Sequence, residues 1–195
     1  MKEIKKHLSR IEKIFQHKKF TRTKSLILEL SEMILRVQRS HKKKFGLFII
    51  FGWKNKWNKI YADIPDISQD IFLKRHINIF KFYKNSLKKV TSTINFDGAI
   101  LIDSQGTILH SGIIIEGLHP RNLANQISSS NSASDLSTRL GFKKKVHARH
   151  LSAIAASYQF RGTVVFTVSE ETRDFHIFHG GKILFSTVRG EMSLT

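Results

Sequence analysis

Cysteine is absent from the 195 residues of this chain. Disulfide frameworks, cysteine-ligated zinc and thiol nucleophiles are thereby excluded together. Proline occurs twice and glycine eleven times, a composition that argues against a long disordered linker. No segment approaches the roughly 18 consecutive apolar residues that a membrane-spanning helix needs. The longest strongly apolar stretch, Phe45 to Trp53, has the length of a strand. Met1 to Lys6 lead into mixed charged and apolar sequence, without the apolar run and cleavage site of a signal peptide. A soluble, cytoplasmic protein without a transmembrane segment is expected.

Acidic residues are also scarce, 15 against 33 lysines and arginines, for a formal net charge of +18. Such a field attracts nucleotides, nucleic acids and anionic membrane surfaces, but does not choose among them. The signatures of several enzyme classes are missing. There is no Gly-x-x-x-x-Gly-Lys-Ser/Thr phosphate loop and no Gly-x-Gly-x-x-Gly dinucleotide fingerprint. Gly-x-Ser-x-Gly and His-Glu-x-x-His are absent too. The ten histidines are scattered. His147 and His150 lie three apart without a matching pair, so surface positions are expected rather than a metal site.

What is present is ordinary globular material, 41% hydrophobic and 25% charged, enough for one core. Apolar residues at helical spacing predict helices over 2–20 and 24–43. The run from Phe45 to Trp53 reads as a buried strand, 53–59 as an exposed turn and 60–64 as a short strand. Residues 68–90 are helical by pattern, with Ile71, Phe72, Ile79, Phe80 and Leu87 facing inward. Strands at 99–103 and 107–116 form a hairpin about Ser104-Gln105-Gly106. A Ser- and Asn-rich loop, 128–137, leads toward Lys143-Lys144-Lys145. A small-residue helix over 150–158, a strand over 163–169 and a last hairpin over 174–187 complete the pattern. The sum is an α/β (mixed α+β) fold, a central mixed sheet flanked by helices with an N-terminal helical segment. Residues 1–22 form a basic helix, a candidate regulatory appendage, and 23–190 the main domain.

Three constellations carry chemistry. Phe96-Asp97-Gly98-Ala99 stands where a helix gives way to a buried strand. A carboxylate there can hold a divalent metal or a sugar hydroxyl, and the small residues let a ligand approach the backbone. Ala148-Arg149-His150-Leu151-Ser152 opens the small-residue helix. Arginine is a permanent cation suited to phosphate oxygens, the helix N-terminus adds amide donors, and His150 can donate to a phosphate or move a proton near neutral pH. Ser169-Glu170-Glu171-Thr172 follows an apolar strand, a favoured ligand position in α/β sheets. Each segment by itself also reads as an ordinary polar turn or cap.

In this order the three segments resemble the diadenylate cyclase (DAC) domain family. The resemblance rests on Asp97-Gly98-Ala99, on Arg149-His150 before Ala153-Ile154-Ala155-Ala156, and on Val168-Ser169-Glu170-Glu171, and it extends to the hairpin Phe175 to Ile183. It implies a nucleotidyltransferase that condenses two ATP into the second messenger cyclic di-AMP, in a homo-oligomer whose active sites meet face to face. Mg2+ or Mn2+ is the implied cofactor. By resemblance Asp97, Arg149 and His150 are catalytic. Gly98, Ala99, Ile115, Ser152, Ser169 and Glu170 contact the nucleotide, and Asp97 and Glu171 bind the metal. The sequence departs from the family at His147-Ala148-Arg149-His150-Leu151, where many members have Gly-Thr-Arg-His-Arg.

Two other readings are compatible with the residues. A DAC-like domain without turnover would sense a nucleotide. A basic nucleic-acid-binding domain would use the positive charge, with Trp53 and Trp57 as a stacking patch.

Overall fold

The computed structural model describes residues 2–16, 20, 23–63, 66–81, 90–93, 96–127 and 135–191. Its helices are α1 (Lys2–Ile14), α2 (Lys24–Ser40), α3 (Asn58–Tyr61), α4 (Pro120–Ile127), α5 (Leu136–Arg139) and α6 (Ala148–Gln159). Its strands are β1 (Leu47–Phe51), β2 (Ala62–Asp63), β3 (Ile77–Asn78), β4 (Ala99–Ile102), β5 (Thr107–Ile115), β6 (Val164–Val168), β7 (Phe175–His179) and β8 (Lys182–Ser186).

The strands form one mixed sheet in the order β2-β5-β4-β1-β6-β7-β8, with β3 also paired to β5. β1 and β4 run parallel; the other pairs are antiparallel. The continuous apolar run of β1 follows from burial on both faces. Leu47, Ile49 and Phe51 enter one core with α1 and α2. Phe48 and Ile50 enter a second core with α4 and α6. Ile100 and Ile102 of β4 repeat the alternation against Ala99 and Leu101, as the two-residue period of a strand requires. The fold is thus a mixed α+β domain with its central sheet between two helical layers.

α1 belongs to this packing. Ile11 and Phe15 are fully buried in the core that α2 contributes to, and Lys24 pairs with Glu12 at 3.0 Å. The predicted helices end earlier than their patterns suggested, at Ile14 and Ser40.

The predicted helix over 68–90 does not form over 68–81, although residue 90 is helical. Residues 67–69 make a 3₁₀ turn and 77–78 pair with β5. The cause lies in Asp70, whose long-range contacts tie the chain to β5, while Asp66 only caps the 3₁₀ turn. Asp66 accepts the Ser68 N–H at 2.9 Å, and the Asp70 carboxylate takes the Ser111 N–H at 3.0 Å and bonds His110 at 2.7 Å. Phe72 and Ile79 are buried, but Ile71 is 41% exposed; Leu87 lies outside the described residues.

The expected turn at 53–59 is a 3₁₀ turn followed by α3. Trp53 is buried there, donating to Asn58 Oδ1 at 2.6 Å and packing edge-on against Trp57 and Phe160. It is a core residue, and the nucleic-acid stacking patch does not form. Part of the expected Ser/Asn loop is helical, in α5, while residues 128–134 lie outside the described ones.

Candidate functional site

Sheet direction brings distant segments to one edge. β1 and β4 both begin there because they are parallel, and β6 ends there because Val168 pairs with Leu47. Lys44 to Gly46, Asp97 to Gly98 and Ser169 to Thr172 therefore meet beside the N-terminus of α6. The apolar face of that helix (Ala153, Ile154, Ala156) packs onto the sheet. No side chain caps its first turn, so its positive end faces the site.

Two clefts open at this edge. One, about 400 Å³, is lined by Phe48, Asp97, Gly98, Ile113, Ile114, Ile115, Leu118, Ala148, Arg149 and Ser152. The other, about 460 Å³, is lined by Lys44, Lys144, Lys145, Val146, His147, Arg149, His150, Ser169, Glu170, Glu171, Thr172, Asp174, His176, Val188 and Glu191. Arg149 lines both. All the site residues expected from sequence line one cleft or the other except Ala99.

Asp97 is exposed, and its N–H donates to Gln69 Oε1 at 3.0 Å. Gly98 has φ +88°, and a β-carbon there would fall 2.5 Å from Ile113 O. Its missing side chain makes room for β5, so the backbone freedom expected to serve a ligand serves the sheet as well. Ala99 is fully buried, paired with Ile113 and packed in the core under α6.

The Arg149 guanidinium lies 3.8 Å from Glu170 and passes over Gly46. His147 and Glu171 pair at 3.0 Å, both mostly exposed, an arrangement of small energetic weight. His150 is 5% exposed. Burial, followed by the nearby His176 and Arg149, pushes its pKa down to about 3. The imidazole is thus neutral at pH 7, able to donate one N–H but not to carry the charge or titrate near neutrality as its residue type suggested. Its Nε2 has no hydrogen-bond partner among the described residues.

The Ser169 turn is closed by the Ser169 N–H donating to Asp174 O at 2.9 Å and the Arg173 N–H donating to Ser169 O at 3.0 Å. Arg173 holds φ 62°, and its guanidinium donates to the carbonyls of Gln38 and His41. The turn is fastened to the C-terminal end of α2, where a cation meets orphan carbonyls.

Among the described residues no group of three or more His, Asp or Glu side chains is placed to hold a metal ion. Asp97 and Glu171 line different clefts. Single carboxylates suit a hard cation that takes most of its ligands from phosphate oxygens and water. Gly46, Gln69, Lys44 and Glu191 carry no local sequence signal, because their places at the site depend on contacts remote in sequence. The Lys143–Lys145 run was visible, but its place in the cleft was not.

The paired clefts, the shared arginine and the exposed carboxylate describe a nucleotide-binding α+β domain. The chain belongs to the DAC family, described as DisA bacterial checkpoint controller nucleotide-binding, whose sequence pattern matches residues 35–183. Comparison with curated proteins finds no match. Among solved structures, a hypothetical membrane-spanning protein from Bacillus cereus is 16% identical with a TM-score of 0.49, over 79% of this chain and 59% of that one. This chain therefore spans little more than half of that protein. A double-cysteine variant of DacA from Staphylococcus aureus is 18% identical with a TM-score of 0.47, over 84% of this chain and 87% of that one. No helix among the described residues is long and apolar enough to cross a membrane.

Proposed function

We propose that this domain is a diadenylate cyclase that joins two ATP molecules into cyclic di-AMP and releases two pyrophosphates. The observation that carries the reading is the position of Arg149, a permanent cation in the wall between the Asp97 cleft and the Ser169–Glu171 cleft. A nucleotide laid across that wall would put its sugar and base against Asp97, Gly98 and Ile115. Its phosphates would lie among Arg149, Ser152, Ser169, Glu170 and the first turn of α6.

In each of two such steps a ribose 3′-oxygen attacks the α-phosphorus of the other nucleotide. The new P–O bond replaces the bond to pyrophosphate, and the hydroxyl proton leaves to solvent or to a carboxylate such as Asp97. The two nucleotides belong to two protomers facing each other, so a protomer holds half of the reaction. Arg149 steadies the charge that develops on the phosphate, and His150 supplies an N–H donor. A divalent cation held by the phosphates and by one carboxylate of its cleft, Asp97 in one and Glu171 in the other, would neutralise further charge.

The test is incubation of the purified full chain with ATP and Mn2+, followed by mass spectrometry. Cyclic di-AMP is expected. ATP binding without product would favour a nucleotide sensor, and failure to bind ATP would overturn both readings.

A further inference from the structure

The segment between α5 and α6 is pinned at both ends by buried side chains. The Lys143 N–H donates to Glu191 Oε1 at 3.0 Å, and the Val146 N–H donates to Ser137 Oγ at 3.0 Å. Ser137 and Glu191 are each 2% exposed. The other carboxylate oxygen of Glu191 accepts from Ser186 Oγ at 3.0 Å and bonds His176 Nε2 at 2.8 Å. Lys143 folds its side chain across Gly190. Glu191 lies beyond the residues matched by the family.

Between the pins stand Lys144 and Lys145, exposed and lining the Arg149 cleft together with Lys44. Three of the four carboxylates in this cleft are already engaged: Glu170 with Arg149, Glu171 with His147, and Glu191 with the strap. Among the described residues neither Lys144 nor Lys145 has an ion-pair partner. The cleft is also lined by His150, whose buried Nε2 has no hydrogen-bond partner among the described residues. Cations without partners beside an arginine and an open helix N-terminus are the chemistry that grips a multiply charged phosphate chain.

We infer that the Lys143–Val146 strap is a polyphosphate-binding element, in which Lys144 and Lys145 hold the terminal phosphates of the nucleotide and then the pyrophosphate, and that Glu191 is the positioning residue that sets it. The inference deepens the proposed function, on which it rests for the orientation of the nucleotide. AMP reaches the Asp97 and Arg149 end of the site without extending to the strap.

The experiment titrates the full-length protein calorimetrically with inorganic pyrophosphate and, separately, with AMP. Wild type is compared with K144A/K145A, E191A and E191Q. The exposed lysine pair is replaced without disturbing the core. K144A/K145A is expected to weaken pyrophosphate binding about tenfold or more, with AMP affinity within about twofold. E191A weakens pyrophosphate in the same direction, and E191Q restores it because its amide oxygen still accepts the Lys143 N–H. Wild-type pyrophosphate affinity in K144A/K145A, or an equal loss for AMP, overturns the inference. E191A that folds and binds pyrophosphate as wild type removes the role of Glu191. These titrations need no turnover, so absence of cyclic di-AMP would refute the cyclase reading separately.

Discussion

The Arg149 guanidinium occupies the space that a β-carbon on Gly46 would require. The residue just before β1 thus decides where the guanidinium at the start of α6 can lie. Gly46→Ala is expected to displace the arginine, because its obstacle is the end of a flexible side chain rather than backbone. ATP affinity should fall about tenfold, with a stability cost below about 1 kcal/mol. Nucleotide titration beside a thermal melt checks both, and unchanged affinity would remove Gly46 from the site.

Asp97 is exposed at the rim of its cleft. Asp97→Asn should leave stability within about 0.5 kcal/mol of wild type, since the Gln69 contact uses the backbone N–H. Cyclic di-AMP formation should drop about a hundredfold or more, as expected when a charged group at the reacting centre is neutralised. Undiminished product would place the chemistry elsewhere.

Gly98 makes the opposite case. Its φ of +88° and a would-be β-carbon 2.5 Å from Ile113 O leave no room for alanine. Gly98→Ala should cost about 2 kcal/mol or more through strain at φ > 0 and displacement of β5. For a chain of this size that corresponds to a fall in Tm of about 4 °C or more. An unaltered melt would show that β5 yields.

His150 couples stability to pH. Its pKa is 6.5 in the reference state and about 3 when folded, so between these values the unfolded chain binds the extra proton. Stability is therefore full above about pH 6.5 and is lost as pH falls toward 3, about 2 kcal/mol of it between pH 7 and pH 5. Glu191 acts in the same sense at lower pH. Burial pushes its pKa up, but hydrogen bonds from His176, the Lys143 amide and Ser186 outweigh that and hold it below the usual carboxylate value. Urea unfolding of His150→Leu at pH 7 and pH 5 should show a shallower difference than wild type. An equal slope would assign the dependence to other groups.

Ile11 of α1 is fully buried in the core shared with α2 and the sheet. Ile11→Ala should destabilise the whole domain by about 2–4 kcal/mol, through lost burial and a residual cavity. One cooperative transition, shifted, is the expected melt. A separate early transition would mean that α1 unfolds as an appendage.

Much of this protein follows from local sequence. The continuous apolar runs of β1 and β6, the hairpin turns at Ser104-Gln105-Gly106 and His179-Gly180-Gly181, and the small residues of α6 each satisfy a rule that operates over a few neighbours. Those rules also placed Asp97, Arg149 and Ser169 at element boundaries, and their order pointed to the family. Between Asp66 and Asn78 the same reasoning failed. The helical period there was overridden by Asp70, whose partners His110 and Ser111 lie about forty residues away. Tertiary structure alone decided that Arg149 stands between two clefts, that Gly98 yields its space to β5, that Trp53 is core, and that His150 is neutral. Each of these depends on strand direction, on burial, or on a charge or backbone brought close from elsewhere in the chain. Residue type and spacing carry the capacity for such chemistry, while the low dielectric and fixed distances that set it arise only when the sheet has assembled.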